Sequence, residues 1–207
     1  MFPPGTAWSY SNTNYIVAGL LIEAVTHHRL GHELQQRIFE PLRLDHTTFP
    51  GATSAIPGHH AHGYVPAPDG TPYDVTGINP SHAWAAGAIV SNAADLARFY
   101  QSLMSGRLLP ALLLREMKTT VAQDPADPTQ RYGLGIERID DPCGVLWGHT
   151  GAIYGYQDMA FWNERTGNAV VMASTIYPAP AAAQAPLDAA AGVALCTRLS
   201  GRDNAHR

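Results

Sequence analysis

One lysine, Lys118, occurs in the 207 residues, and the residue three positions before it is Arg115. A serine with a lysine one helical turn away, Ser-x-x-Lys, is therefore absent, and so is a serine nucleophile activated in that way. No Gly-x-Ser-x-Gly is present, which excludes the sharp strand-to-helix turn that exposes a nucleophile in another class of hydrolase. His32-Glu33 lacks the second histidine of His-Glu-x-x-His, the zinc-protease spacing. Charged residues make up only 14% of the chain and the formal net charge is −4, so neither nucleic acid nor an anionic membrane has an electrostatic case. No apolar run approaches the roughly 20 residues that a membrane span needs. Cysteine is limited to Cys143 and Cys196. The pair fits one disulfide in an exported protein and equally two separate thiols in a reducing compartment.

What is present belongs to a globular chain, with 45% hydrophobic residues. Tyr10 to Asn14 reads as a polar turn, followed by Tyr15, Ile16, Val17, Leu20, Leu21, Ile22 and Val25, the pattern of a buried helix capped by Asn12 or Thr13. A second helix is expected from about Leu30 to Phe39, ended by Pro41. From Phe49 to about Ala83 the composition shifts to Pro, Gly, His and Asp, an excursion of turns and short extended pieces. Ala93–Ser105 reads as a helix capped by Ser91 or Asn92, with Asp95 placed as in a capping box and Gly106 as terminator. Leu108–Thr119 is a further helix, and Gln123–Gln130, with two Asp-Pro steps, reads as a linker-like loop.

After Tyr132 the texture changes. Three runs look like strands, the first being Gly133–Ile139 joined by a turn to Val145–Gly151, the second Gln157–Trp162 and the third Ala169–Ile176, and they are counted as a three-stranded antiparallel meander from about 133 to 176. Asn163-Glu-Arg-Thr-Gly167 makes a hairpin turn. The alanine-rich Ala181–Leu199 reads as a closing helix. The expectation is one α+β domain over 1–207, mainly helical over 1–130 and antiparallel strands with a C-terminal helix over 131–207.

Five ordered segments carry a resemblance: Pro4-Gly-Thr-Ala-Trp-Ser-Tyr-Ser-Asn-Thr-Asn-Tyr15, Phe39-Glu-Pro-Leu42, Trp84-Ala-Ala-Gly-Ala-Ile-Val-Ser91, Tyr132-Gly-Leu-Gly135 and Trp147-Gly-His-Thr-Gly-Ala-Ile-Tyr-Gly-Tyr156. With them the chain resembles the C-terminal part of the serine β-lactamase and D-alanyl-D-alanine carboxypeptidase family, in its His-Thr-Gly subgroup. That family works with Ser-x-x-Lys, Ser/Tyr-x-Asn and Lys/His-Thr-Gly; the second and third are here as Tyr10-Ser11-Asn12 and His149-Thr150-Gly151. Met1-Phe-Pro-Pro-Gly begins inside a motif with no basic or apolar leader, so the expectation is a downstream portion of a longer polypeptide. On that reading one sheet edge and part of the core are uncovered.

The resemblance implies a β-lactamase/transpeptidase-like fold and an acyl-enzyme route that hydrolyses a peptide, β-lactam or ester bond. Tyr10 would serve as base or proton relay, a phenol whose ordinary pKa of ~10 needs nearby cations to favour phenolate. Asn12 would hold the missing lysine and a substrate amide. His149 replaces a lysine, which makes its charge conditional on pH. Thr150 would meet a substrate carboxylate, Gly151 would allow close approach of the substrate backbone, and Ala152 N–H would form half of an oxyanion hole. Trp84 would wall the pocket. Ile136 occupies the place of the carboxypeptidases' carboxylate-binding arginine, and Arg138, two residues on, would substitute. Cys143 and Cys196 would pair in an exported parent, extracellular or periplasmic. Neither metal nor cofactor is assigned, because His59-His60-Ala-His62 and His28 with His32 read as surface groups; the partner is a small molecule or peptide. A second reading stands beside this one: a non-catalytic, ligand-binding or structural remnant of the same fold.

Overall fold

The computed structural model describes residues 2–3 and 5–197. Helix α1, Asn12–Thr26, is capped one residue earlier than expected, by extended Ser11, whose Oγ accepts the Thr13 N–H at 3.2 Å. Its apolar run is not buried throughout. Gly19 is buried beneath Trp84 and Ala85, whereas Val17, Leu20, Leu21 and Val25 are 55–69% exposed. An apolar run without a polar stripe marks no single inner face, so sequence alone misplaces its outer side.

The second helix is composite: α2 (Leu30–Leu34), a π turn over Gln35–Phe39, and α3 (Glu40–Leu42). It continues through Pro41 rather than stopping before it. In the π turn the Glu40 N–H reaches back five residues to Gln35 O, which shifts the hydrogen-bond ladder just where Pro41 has no N–H to give. The Pro/Gly excursion holds one short hairpin, β1 (Tyr64–Pro66) with β2 (Pro72–Asp74), and 3-10 turns at Pro80–His82 and Trp84–Ala86.

Helix α4 spans Ala93–Met104, with Asn92 Oδ1 accepting the Asp95 N–H at 2.9 Å. The Asp95 carboxylate does not complete a capping box. It is buried and accepts from His46 N–H and the Thr47 hydroxyl, each at 2.9 Å, which pins the 46–47 loop to the helix. Gly106, at φ 75°, follows the helix end as expected. Helix α5, Ala111–Met117, is shorter than its sequence pattern because Pro110 sets its start.

Six strands, not three, form the sheet: β3 (Val121–Asp124), β4 (Asp127–Tyr132), β5 (Glu137–Asp141), β6 (Gly144–Ile153), β7 (Tyr156–Asn163) and β8 (Ala169–Ser174), all antiparallel in chain order. The expected linker at 123–130 is the β3–β4 hairpin, so the strand region starts at Val121. Pro128 falls in the bulge between the pairs Asp124↔Asp127 and Ala122↔Arg131, where a missing N–H breaks no ladder bond. Among the described residues β3 and β8 are each paired along one side only, and such edges are the usual sites of intermolecular pairing.

Helix α6, Ala181–Cys196, closes the fold; residues 198 and 199 of the expected helix lie outside the described residues. Its Leu195 packs on Leu146 and Phe161, with Ile139, Met159 and Val170 around them, while α4 packs on β7 and β8. Cys143, in the β5–β6 turn, is bonded to Cys196, with Cα atoms 5.0 Å apart at a sequence separation of 53. Fully buried Asn163 braces the same junction, donating to Leu195 O at 2.9 Å and Cys143 O at 3.2 Å. A covalent loop of that length restricts the unfolded chain enough to contribute about 4 kcal/mol. Reduction, or Cys143→Ser, is therefore expected to lower the melting temperature by about 10 °C, read by circular dichroism with and without a thiol reductant.

Candidate active site

The β-turns fix which side chains meet. β5 turns into β6 with Asp141 opposite Gly144, and this register sets Glu137 opposite Gly148. The pairing with β5 stops there, so among the described residues His149–Ile153 has a neighbouring strand on the β7 side alone. His149, Thr150, Gly151 and Ala152 therefore lie along a strand segment whose other edge is open. An open antiparallel edge can take an extended substrate by main-chain hydrogen bonds.

Tyr10 comes in from the segment before α1, and its ring lies 5.7 Å from the His149 ring and 5.7 Å from Tyr15. Tyr132, buried at the end of β4, has the Trp8 ring 4.9 Å away, with the His149 and Tyr10 rings at 5.6 and 6.0 Å. The glycines of Tyr132-Gly-Leu-Gly135 make this possible. A Cβ on Gly133 would stand 2.2 Å from Met117 O, and Gly135 sits at φ 75°.

A directed hydrogen-bond chain runs through the cluster. His149 Nδ1 lies 2.6 Å from the Thr150 carbonyl, which can only accept, so Nδ1 carries the proton. In a neutral ring Nε2 then accepts from the Tyr132 hydroxyl at 2.8 Å. Tyr132 in turn accepts from the Tyr15 hydroxyl, to which it is bonded. A neutral ring satisfies every partner, and the tautomer follows from these contacts.

The phenols are held protonated. Burial, then the neighbouring Tyr15 and Glu137, raise the Tyr10 pKa above its ordinary range. Burial foremost, then the bond to Tyr15, raise that of Tyr132. Tyr10 can become a base only if a cation is brought beside it.

Asn12 opens α1 two residues after Tyr10 and is exposed. Thr150 and Ala152 are exposed on the open edge. Two expected residues lie apart from the cluster. The Trp84 ring covers Gly19 in mid-α1, about 10 Å along the helix from its first turn, and its backbone adopts a left-handed φ of 37°. The Arg138 guanidinium meets Asp140 at 2.8 Å and lies over the Trp147 ring, 5.8 Å from its centre. Successive strand residues face opposite ways, so it is Glu137 rather than Arg138 that reaches Thr150, at 3.5 Å.

Sequence reasoning passed over Tyr15, Glu137 and Asp158, and quoted Tyr132 without giving it a role. The two-residue turn Tyr154-Gly155 places Asp158 opposite Gly151, and that count could have found it. A Cβ on Gly151 would stand 2.3 Å from Asp158 Oδ1, so the glycine leaves room for this carboxylate. Burial raises the Asp158 pKa, while His149 opposes the shift. A carboxyl raised on folding weakens the fold once ionised, and the penalty vanishes where folded and unfolded states are both protonated. Asp158→Asn is expected to raise the melting temperature at pH 7, with the gap closing as pH falls towards 4, in paired thermal melts. A separate trio, His28, His32 and Glu33, brings ligand atoms within 4.8 Å of one another. Its Glu33 is already paired to His28 and to the Arg37 guanidinium.

Known proteins share this fold. A D-stereospecific amidohydrolase from Streptomyces sp. superposes with a TM-score of 0.81 at 40% identity, over 84% of this chain and 52% of that one. D-amino acid amidase from Ochrobactrum anthropi SV3 does so at 0.73 and 27% identity, over 85% of this chain and 52% of that one. The unguisins hydrolase ungD' of Aspergillus campestris is 29% identical over 84% of this chain and 34% of its own length. The chain thus spans about half the length of those solved structures, and less of the curated relative. The Beta-lactamase family profile matches residues 1–194. The chain belongs to the beta-lactamase family.

Proposed function

We propose that these residues form the larger part of a serine hydrolase site, acting through an acyl-enzyme on an amide, peptide or ester bond. The nucleophile comes from a Ser-x-x-Lys segment outside the 207 residues. The observation that carries this reading is Tyr10 packed on His149 beside the open edge of β6.

In the reaction the lysine cation of the added segment offsets the burial and anionic neighbours that now hold Tyr10 protonated. The Tyr10 phenolate takes the proton from the serine hydroxyl as its oxygen attacks the carbonyl carbon. The carbonyl π electrons move to oxygen, and that oxyanion accepts from Ala152 N–H and the serine's own N–H. Collapse breaks the bond to the leaving group, which takes the proton from Tyr10. Water then attacks the acyl carbon, losing its proton to Tyr10; the acyl–serine bond breaks, the serine oxygen takes that proton back, and the acid leaves with Tyr10 again a phenolate. His149, held by Tyr132 at 2.8 Å and by the Thr150 carbonyl at 2.6 Å, keeps the edge in place.

A polypeptide that joins an upstream Ser-x-x-Lys segment to this chain is expected to hydrolyse p-nitrophenyl acetate with burst kinetics, followed at 405 nm. Absence of turnover from that polypeptide, with the cleft still binding ligand, would establish the alternative of a non-catalytic binding protein. The missing Ser-x-x-Lys within the chain is what favours that alternative.

A further inference from the structure

The charged β5 side chain that reaches the open edge of β6 is an acid. Glu137 Oε1 accepts from the Thr150 hydroxyl at 3.5 Å and lies 3.7 Å from His149 Nδ1, with the side chain only 16% exposed. The nearest guanidinium on that strand, Arg138, is taken up by Asp140. A second carboxylate, Asp158, stands over Gly151, the next residue of the motif, and has no ion-pair partner among the described residues. The basic group at this edge is the His149 ring, whose Nδ1 faces the Thr150 carbonyl at 2.6 Å, closer than Glu137 Oε1 at 3.7 Å. The negative field reaches further, since Glu137 contributes to holding Tyr10 and Tyr132 protonated.

A carboxylate docking on Thr150 would bring a second anion against Glu137 in a partly desolvated place, where like charges repel most. An ammonium group there would donate to Glu137. Resting on the hydrolase reading of this site, we infer that Glu137 makes the His-Thr-Gly strand select substrates that place a free amine beside Thr150, and reject those presenting a carboxylate there. Amino-acid amides and esters with an unblocked amino group fit this chemistry. The polarity is opposite to the carboxylate recognition that Thr150 and an arginine would provide.

Binding needs no nucleophile, so the 207-residue chain itself tests the inference. The probes are D-phenylalanine amide, its N-acetyl derivative, and N-acetyl-D-phenylalanine, titrated while the His149 ring signals are followed by NMR. The free amine is expected to bind about tenfold tighter than the neutral probe, the scale of one charge-assisted hydrogen bond, with the carboxylate weakest. Glu137→Gln should erase the preference, Glu137→Asp should keep most of it, and Glu137→Arg should favour the carboxylate. The order of the three probes on the unmodified chain already decides, even if a variant fails to fold. Equal affinities, a carboxylate preference, or no probe shifting the His149 signals would overturn the inference. Selective binding with no turnover after the Ser-x-x-Lys segment is joined would count against the hydrolase reading alone. Turnover without amine selectivity would count against Glu137 alone.

Discussion

Tyr10→Phe, in a polypeptide carrying both this chain and a Ser-x-x-Lys segment, is expected to lower kcat by about 10²–10⁴-fold, the contribution of a positioned general base. The substitution deletes one oxygen and keeps the ring. The packing of Tyr10 on Tyr15 and His149, at 5.7 Å each, therefore stays in place. KM should move by less than about threefold if the hydroxyl acts only in the transition state. Tyr132→Phe provides the contrast. Tyr132 is bonded to Tyr15 and His149 below the edge, so its loss should free the His149 ring and raise KM as well as lower kcat. Steady-state kinetics on an activated ester separates the two outcomes. A Tyr10→Phe variant with unchanged kcat would remove the phenol from the mechanism.

Gly148→Val is expected to destabilise the fold by at least about 3 kcal/mol, because overpacking against main chain cannot be relieved by a rotamer change. A Cβ at this position would stand 2.0 Å from Ala160 O and 2.7 Å from Phe161 Cα. Both atoms belong to β7, so β6 and β7 would have to part at the centre of the sheet. Phe161 is 1% exposed and anchors the cluster with Leu146 and Leu195, so the separation would open the core as well. Gly192 in α6 is the control: a Cβ there meets nothing within 4 Å, and Gly192→Ala should stabilise by about 0.5–1 kcal/mol through helix propensity. Urea unfolding of the two variants measures the difference. A cooperative Gly148→Val transition near the original midpoint would show that the register of β6 on β7 is wrong.

The parts of this protein that were readable in its sequence are those set by local pattern. Helix α4 announces itself through Asn92 and Gly106, and α6 through its alanine run. The strands β7 and β8 show in the apolar runs flanking Asn163–Gly167. The β3–β4 hairpin was hidden because Asp-Pro steps, which read as breakers, fall in a turn and a bulge where no ladder bond is lost. The outer face of α1 was misjudged because Leu20 and Leu21 are as apolar as residues that are buried, and only a packed neighbour tells the two apart. For the site, the His149 and Tyr10 motifs were visible, whereas their pairing in space rests on contacts between residues far apart in sequence. Glu137 and Asp158 were legible in principle, since tight turns at Asp141–Gly144 and Tyr154-Gly155 fix both cross-strand partners by counting. Arg138 drew attention by its charge, but strand alternation turns it to the Trp147 side.

Covalent labelling followed by intact-mass spectrometry tests the central claim, that this chain holds a hydrolase site whose nucleophile lies on another segment. The 207-residue chain, treated with a fluorophosphonate or with penicillin, is expected to keep its unmodified mass. Ser9 and Ser11 flank Tyr10, but Ser11 is spent as the cap of α1, and neither has a lysine one turn away. The same chain joined to a Ser-x-x-Lys segment is expected to gain one adduct, mapped by peptide sequencing to that serine. A stoichiometric adduct on the 207-residue chain alone would contradict the account.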